Sequence, residues 1–282
     1  MRIFLAGATG FLGRRLTPLL IAEGHQVTGL TRKASEAERL RAMGAAAAIA
    51  DVYDLATLTS VVRVAAPEAV IHQLTDLGAG NFAANRTIRE VGTRDLVDAA
   101  LAAGVRRIVA QSIAWAYEPG DQPATEQTPL DLGADESRSG GVRGVAMLED
   151  AVREIPEWVV LRYGLFYGLT TWYSGDGLMA EQARAGELVA DADITSFVHV
   201  QDAAAAAVAA LEWPSGPVNI CDDEPAPGTE WLPVFCASVG APPPRQADDR
   251  HGWARGADNR LARKHLDWTP SRLSWRDGFT MA

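Results

Sequence analysis

The sequence predicts an α/β protein: a Rossmann-type, doubly wound parallel sheet with a small C-terminal substrate-binding lobe. Two observations carry that expectation. Short apolar runs alternate with longer segments of helical periodicity up to about residue 163, which is the signature of βαβ units. A glycine-spaced turn, Gly7-Ala8-Thr9-Gly10-Phe11-Leu12-Gly13, follows the first apolar run directly and opens the first helical pattern.

The elements follow in order. Arg2 to Ala6 reads as a strand and Phe11 to Glu23 as a helix whose apolar face is Leu12, Leu16, Leu19 and Leu20. Gln26 to Thr31 is the second strand, Ser35 to Met43 the second helix, and Ala47 to Ala50 the third strand, ending at Asp51. A helix over Leu55 to Val64 precedes a fourth strand at Val70 to Leu74. A long helix from Asn85 to Ala103 leads into the fifth strand, Arg107 to Ser112. Val142 to Ile155 repeats apolar residues on one helical face, and Trp158 to Tyr163 is the sixth strand. Residues 1–163 are thus expected to form the doubly wound sheet, the domain to which a dinucleotide-binding role is given below. Residues 164–282 are mainly the smaller lobe, with segments near 194–222 returning to the sheet. That second half is interrupted by glycine, proline and tryptophan, and its clearest helix is the alanine-rich run Asp202 to Leu211.

Composition narrows the function. The chain has 282 residues, 48% of them hydrophobic, with 26 basic against 36 acidic side chains and a formal charge of -10. An acidic surface argues against nucleic acid or an anionic membrane as partner. No apolar run is long enough for a membrane span, and the N-terminal run turns glycine-rich too early for a signal peptide. The two cysteines, Cys221 and Cys236, form no CxxC. These features lead us to expect a cytoplasmic enzyme acting on a small molecule. Asp222-Asp223-Glu224 has no second ligand cluster at suitable spacing, so no metal is expected.

The glycine turn carries the chemistry. Gly7 permits the tight turn, Gly10 lets backbone approach a pyrophosphate, and Gly13 allows close packing of helix on strand. The helix N-terminus adds unpaired N–H groups for the phosphates.

With these motifs the chain resembles the short-chain dehydrogenase/reductase superfamily, in particular its extended branch of NAD(P)-dependent epimerases, dehydratases and reductases. GATGFLG at 7–13 matches the family's phosphate loop. Further matches, in the family's order, are Val70 to Thr75, Gly92-Thr93, Leu161-Arg162-Tyr163, Ser196 to Asp202, Leu266 to Pro270 and Trp275 to Gly278. The resemblance implies cofactor contacts from Gly7, Thr9, Gly10, Phe11, Leu12 and Gly13. It implies others from Asp51 and Val52 at the adenine, Leu74 and Thr75 at the riboses, and Ser112 and Tyr163 near the nicotinamide.

The second strand ends Thr31-Arg32-Lys33, with a threonine where an NAD site places an acid for the ribose hydroxyls. Arg32 and Lys33 are suited to a 2′-phosphate, so NADP is expected, with NAD possible.

The family's catalytic side chains are missing. The family uses a Ser or Thr and a Tyr-x-x-x-Lys, whose lysine lowers the phenol pKa. In the ungapped register Ile113 takes the hydroxyl position, Gly141 the tyrosine and Val145 the lysine. No other register restores the pair. The only lysines are Lys33 and Lys264, and none of the tyrosines has a lysine four residues on. Tyr117 is then the first catalytic candidate and Ser112 the second, each open to a purely packing or backbone-satisfying role. Trp115, Tyr167, Trp172 and Tyr173 suggest an aromatic substrate pocket. Arg89 stands where the family usually has asparagine, either as an anion-binding group or as an exposed helix arginine.

Three functions stay in play: an NADP(H)-dependent oxidoreductase of a small oxygenated substrate, a redox-neutral epimerase or dehydratase, and a non-catalytic dinucleotide sensor. A homodimer is possible, with Gly140, Gly141 and Gly144 offering close backbone approach.

Overall fold

A computed structural model describes residues 1–77 and 80–279. Seven strands make one sheet in the order β11-β6-β5-β4-β1-β2-β3. They are β1 (Arg2–Ala6), β2 (Gln26–Thr31), β3 (Ala46–Ile49), β4 (Ala69–His72), β5 (Arg107–Ile113), β6 (Glu157–Tyr163) and β11 (Gly216–Ile220). The pairings among β1, β2, β3, β4 and β5 are parallel, with Phe4 opposite Thr28 on one side and Val70 on the other. The sheet runs outward both ways from β1, so the winding reverses there, as in doubly wound sheets. The central strands β1 and β4 are almost entirely apolar and buried because both of their faces are covered.

The chain divides into two units, the first holding Met1–Ser112, Leu132–Leu161 and Ala204–Pro217, the second Ile113–Asp131, Arg162–Ala203 and Val218–Ala282. In the first unit, α1 (Gly13–Ala22), α2 (Ala34–Ala42), α3 (Leu55–Ala65), α4 (Phe82–Thr87), α5 (Thr93–Ala102) and α6 (Glu136–Val152) supply the covering faces. Its core gathers Phe4, Leu58, Val62, Leu96, Val97, Leu148 and Val160, all buried.

Two departures from the sequence reading have local causes. The single helix expected over 85–103 is α4, then a π-helical turn at Ile88–Gly92, then α5. The Thr93 hydroxyl donates to the Ile88 carbonyl five residues back at 3.2 Å, which stabilises the wider turn. α6 begins earlier than expected because the Asp135 side chain accepts from the Arg138 N–H and caps it, although Gly140, Gly141 and Gly144 follow.

The second unit has small two-stranded sheets and several short helices. β7 (Leu165–Tyr167) pairs with β10 (Phe197–His199), β9 (Ile194–Thr195) with β12 (Ala226–Pro227), and β8 (Val189–Ala190) with β13 (Arg245–Gln246). Its core is aromatic. Tyr173 meets Phe197 at 5.3 Å and 90°, Phe197 meets Trp231 at 5.1 Å, and Phe279 stands against Phe235 at 5.2 Å. Edge-to-face geometry of this kind adds about 0.5–1.5 kcal/mol per pair beyond burial.

Asp222 is one of several buried polar side chains in this unit. It is buried, its Oδ1 accepts from the Glu224 N–H at 3.2 Å, and its Oδ2 has no partner among the described residues. Burial pushes its carboxyl up to about 8. The folded chain therefore keeps this proton over a range in which the unfolded chain, near 3.8, releases it. The stability tied to Asp222 is full below 3.8 and is lost as pH rises toward about 8. Asp222→Asn should remove that loss. In melting experiments at about pH 5 and about pH 8, the variant should gain on the parent at the higher pH, and a constant gap would contradict the assignment.

Candidate functional site

The site in the first unit starts at the β1–α1 turn. Gly7 has φ of +92°, and a Cβ there would lie 2.5 Å from the Gln73 carbonyl carbon. Gly10 donates its N–H to the Gly7 carbonyl at 3.0 Å, and a Cβ on Gly13 would lie 2.7 Å from the Ala8 Cα. α1 has no acidic side chain in its first turn, so nothing there cancels the positive end of its dipole. A cavity of about 190 Å³ opens here, lined by Gly7, Thr9 and Gly10 together with the residues leaving β2, β3 and β4.

At the β2 exit, Thr31 is buried and its hydroxyl accepts from the Lys33 N–H at 3.2 Å. Arg32 lines the cavity and makes no ion pair among the described residues, whereas exposed Lys33 caps α2 and does not line it. At the β3 exit, Val52 and Tyr53 are in the wall, while the Asp51 carboxylate accepts from the Tyr53 N–H at 3.1 Å. Leu74 and Thr75 line it from β4. Phe11 and Leu12 stand behind the turn, the Phe11 carbonyl accepting from Arg15 at 2.7 Å and Leu12 buried.

His72 sets the β4 exit. The Leu74 N–H donates to its Nδ1 at 3.2 Å, so Nε2 carries the proton and donates to the Thr93 hydroxyl at 2.9 Å. Burial, with the Arg89 charge adding, pushes this imidazole down to about 4, and it stays neutral at ordinary pH. Next to it, Gln73 is 5% exposed and neither end of its amide has a partner among the described residues. An orphaned buried amide costs about 1–3 kcal/mol, and a polar ligand in the cavity removes that cost. A pyridine dinucleotide fits this donor set: glycine backbone for the pyrophosphate, Leu30 and Val52 for the adenine, and the Gln73 amide toward polar groups.

The neighbouring side chains are already partnered. Ser112 donates to buried Glu149 at 2.9 Å, and the buried Tyr163 hydroxyl donates to the Ala203 carbonyl at 3.3 Å. Arg89 lies in the π turn, where a Cβ on Gly144 would touch its stem at 3.6 Å, and Gly140 faces Arg86. The space that these two glycines open is thus taken by arginines of the same chain. Burial lowers the Arg89 guanidinium to about 10, and no ion pair or hydrogen bond to it occurs among the described residues.

The second unit carries a larger cavity, about 350 Å³, walled by Trp115, Tyr173, Trp231 and Trp253. Asp191 and Asp193, just after β8, form its acidic edge. Asp191 Oδ1 accepts from the Asp193 N–H at 3.1 Å, and the Asp193 carboxylate takes both the His251 N–H at 2.6 Å and its Nδ1 at 2.9 Å. Arg255 lines the cavity, but its guanidinium donates to the carbonyls of Gln122 and Glu118. Trp231, on the helix Gly228–Ser238, is 7% exposed, and its indole N–H has no partner among the described residues.

Of the aromatic candidates, Trp115 and Tyr173 line this cavity, while Tyr167 and Trp172 do not. Tyr167 is buried, with its hydroxyl on the Ser274 carbonyl at 3.3 Å, and Trp172 packs on the aromatic core. Tyr117 is fully buried. It donates to Asn219, accepts from Arg162 at 3.2 Å, and has that guanidinium 5.0 Å over its ring; it lines neither cavity. The sequence reading missed Tyr53 and Gln73 in the first cavity. In the second it missed Asp191, Asp193, Trp231, Trp253 and Arg255, for which an isolated tryptophan in a turn-rich region was the only signal.

The fold and the glycine turn define a dinucleotide-binding enzyme. The family model described as the NAD dependent epimerase/dehydratase family matches residues 3–221, and the chain belongs to that family. It is an NAD(P)-dependent oxidoreductase or epimerase. A 3-diazoavenalumate denitrifying reductase from Streptomyces sp is 43% identical, covering 99% of each chain. A UDP-glucose 4-epimerase of Mycolicibacterium smegmatis is 27% identical, covering 96% of this chain and 94% of its own. The Thermus thermophilus UDP-glucose 4-epimerase in complex with NAD superposes with a TM-score of 0.76 at 21% identity, covering 99% and 97% of the two chains. Bordetella bronchiseptica WbmG in complex with NAD and UDP gives 0.79 at 21% identity, covering 99% and 93%. These structures share the fold with this chain.

Gly7→Ala tests the turn. The new methyl meets the Gln73 carbonyl at a φ that side chains rarely adopt, a strain of about 1–3 kcal/mol. The variant should melt several degrees lower and bind a pyridine dinucleotide at least about tenfold more weakly by calorimetry. Unchanged affinity would remove the turn from the site.

Proposed function

We propose that this chain is an NADP(H)-preferring reductase that takes a small, oxygenated aromatic diazo compound and replaces the diazo group with hydrogen. The cavity of the second unit carries the reading. Its walls are aromatic, its volume of about 350 Å³ is near the small end for ligand sites, and its lining cation, Arg255, is committed to backbone carbonyls. A sugar nucleotide needs cations for its diphosphate, and this lining has two carboxylates instead. The full-length relative at 43% identity, named for denitrifying a diazo compound, supports the same choice.

Gly7, Gly10 and the N-terminus of α1 would hold the pyrophosphate, Leu30 and Val52 the adenine, Arg32 the 2′-phosphate, and Leu74 and Thr75 the ribose. When bound, the reduced dinucleotide supplies hydride, which with one proton replaces the diazo group as dinitrogen. Such a reaction has a departing gas to drive it and does not call for a Tyr-x-x-x-Lys pair, in keeping with a chain whose only lysines, Lys33 and Lys264, line neither cavity. In this reading Tyr117 anchors Asn219, and Ser112 anchors α6 through Glu149. We extend the reading to a cytoplasmic homodimer. Among the described residues, no helix is long and apolar enough to cross a membrane.

The test incubates the protein with NADPH and an aromatic diazo compound, following nicotinamide absorbance and evolved dinitrogen. Equal amounts of cofactor consumed and gas released are expected. No consumption, or interconversion of UDP-glucose and UDP-galactose, would overturn the reading. Arg32→Ala should weaken NADPH by roughly tenfold or more, from the loss of one charge-assisted contact, and NADH by less than about twofold. Equal losses by calorimetry would refute the NADP preference.

A further inference from the structure

We infer that Asp191 is the proton donor to the substrate and that the second-unit cavity recognises its protonated, cationic diazonium form. This rests on the reductase reading above. The two acids at the cavity edge are not equivalent. Asp193 commits both oxygens to His251, at 2.6 and 2.9 Å. Asp191 takes backbone N–H groups alone, that of Asp193 on Oδ1 at 3.1 Å, and makes no ion pair among the described residues.

A separate observation marks the place as built for a ligand. Trp231 lines the same cavity, is 7% exposed, and its indole N–H is buried with no partner among the described residues. A buried donor of this kind asks for an acceptor atom on the bound molecule. Trp115, Trp253 and Tyr173 complete the wall, and aromatic rings attract positive charge over their faces. An acceptor-bearing aromatic cation between indoles and a carboxylate satisfies each of these groups. The charged groups around Asp191 are Asp193, His251, Asp249 and Arg255. Burial and, more weakly, the Asp193 carboxylate push its carboxyl up, against the Asp193 N–H, so it keeps a proton to higher pH than an exposed aspartate.

The step balances. The proton passes from Asp191 to the substrate oxygen conjugated with the diazo carbon, leaving a carboxylate beside a diazonium cation. Hydride from the reduced nicotinamide forms the new C–H bond. The C–N bond breaks, dinitrogen leaves with its electron pair, and water reprotonates Asp191.

The first arm of the test needs neither cofactor nor turnover. Tryptophan fluorescence would be titrated with phenyltrimethylammonium and with its neutral analogue tert-butylbenzene. The parent should bind the cation at least about tenfold more tightly, and Asp191→Asn, which keeps the Oδ1 acceptor and hence the turn, should abolish the preference. The second arm compares turnover. Asp191→Asn should lower kcat on a neutral diazo compound by at least about tenfold, since a general acid contributes roughly 10²–10⁴. It should also lose the fall in kcat at high pH; on a preformed arenediazonium salt its kcat should fall less than on the neutral compound, while its KM rises by at least about tenfold. No cation preference in the parent, or an unchanged kcat and pH profile in the variant, overturns the inference. A parent that prefers the cation but releases no dinitrogen refutes the reductase reading, and the proton-donor role with it.

Discussion

The first unit depends on one close approach of backbone to backbone. β1 is flanked by β2 and β4, and the chain must leave it, turn, and start a helix without moving away from β4. Gly7 against Gln73 and Gly13 against Ala8 let this happen in a few residues. A side chain at either position would lift α1 off the sheet edge. The cavity would then lose its floor, and the N-terminus of α1 would no longer be presented there. The affinity for phosphate is therefore a by-product of tight packing, because the glycines that permit the packing also leave the N–H groups uncovered.

A second constraint ties the β4 exit to the helices behind it. The Leu74 N–H, the His72 ring, the Thr93 hydroxyl and the Ile88 carbonyl form one directed chain of hydrogen bonds. Each donor in it has one available acceptor, so the imidazole tautomer is fixed and the π turn cannot relax without breaking the chain. That turn sets Ile88 in the cavity wall and lays Arg89 over Gly144. A buried neutral histidine thereby positions a cation.

Much of the first unit was legible because its signals are local. Gln26 to Thr31 was read to the residue, since β-strand periodicity and its flanking turns lie within a few positions. The phosphate turn was legible because a glycine at positive φ has few substitutes. The π turn was not, as it depends on a threonine hydroxyl choosing a carbonyl five residues back. The burial of Tyr117 was also hidden. Its partners Asn219 and Arg162 are far along the chain, and a tyrosine has the same composition whether its hydroxyl faces a ligand or an asparagine. The aromatic cavity gathers Trp115, Asp191, Trp231 and Trp253 from distant segments, and no periodicity links them.

The glycines of α6 bear on which side chains that helix can accept. At the position that the family resemblance gives to tyrosine, Gly141 has open space around it; at the lysine position, Val145 is 1% exposed. One turn away, Gly144 is covered by the stem of Arg89. A tyrosine introduced at 141 would find room, whereas a lysine introduced at 145 would place an ammonium in an apolar seat with no partner, at a cost in stability. The helix therefore cannot accept such a pair one residue at a time, lysine first, without passing through a less stable chain.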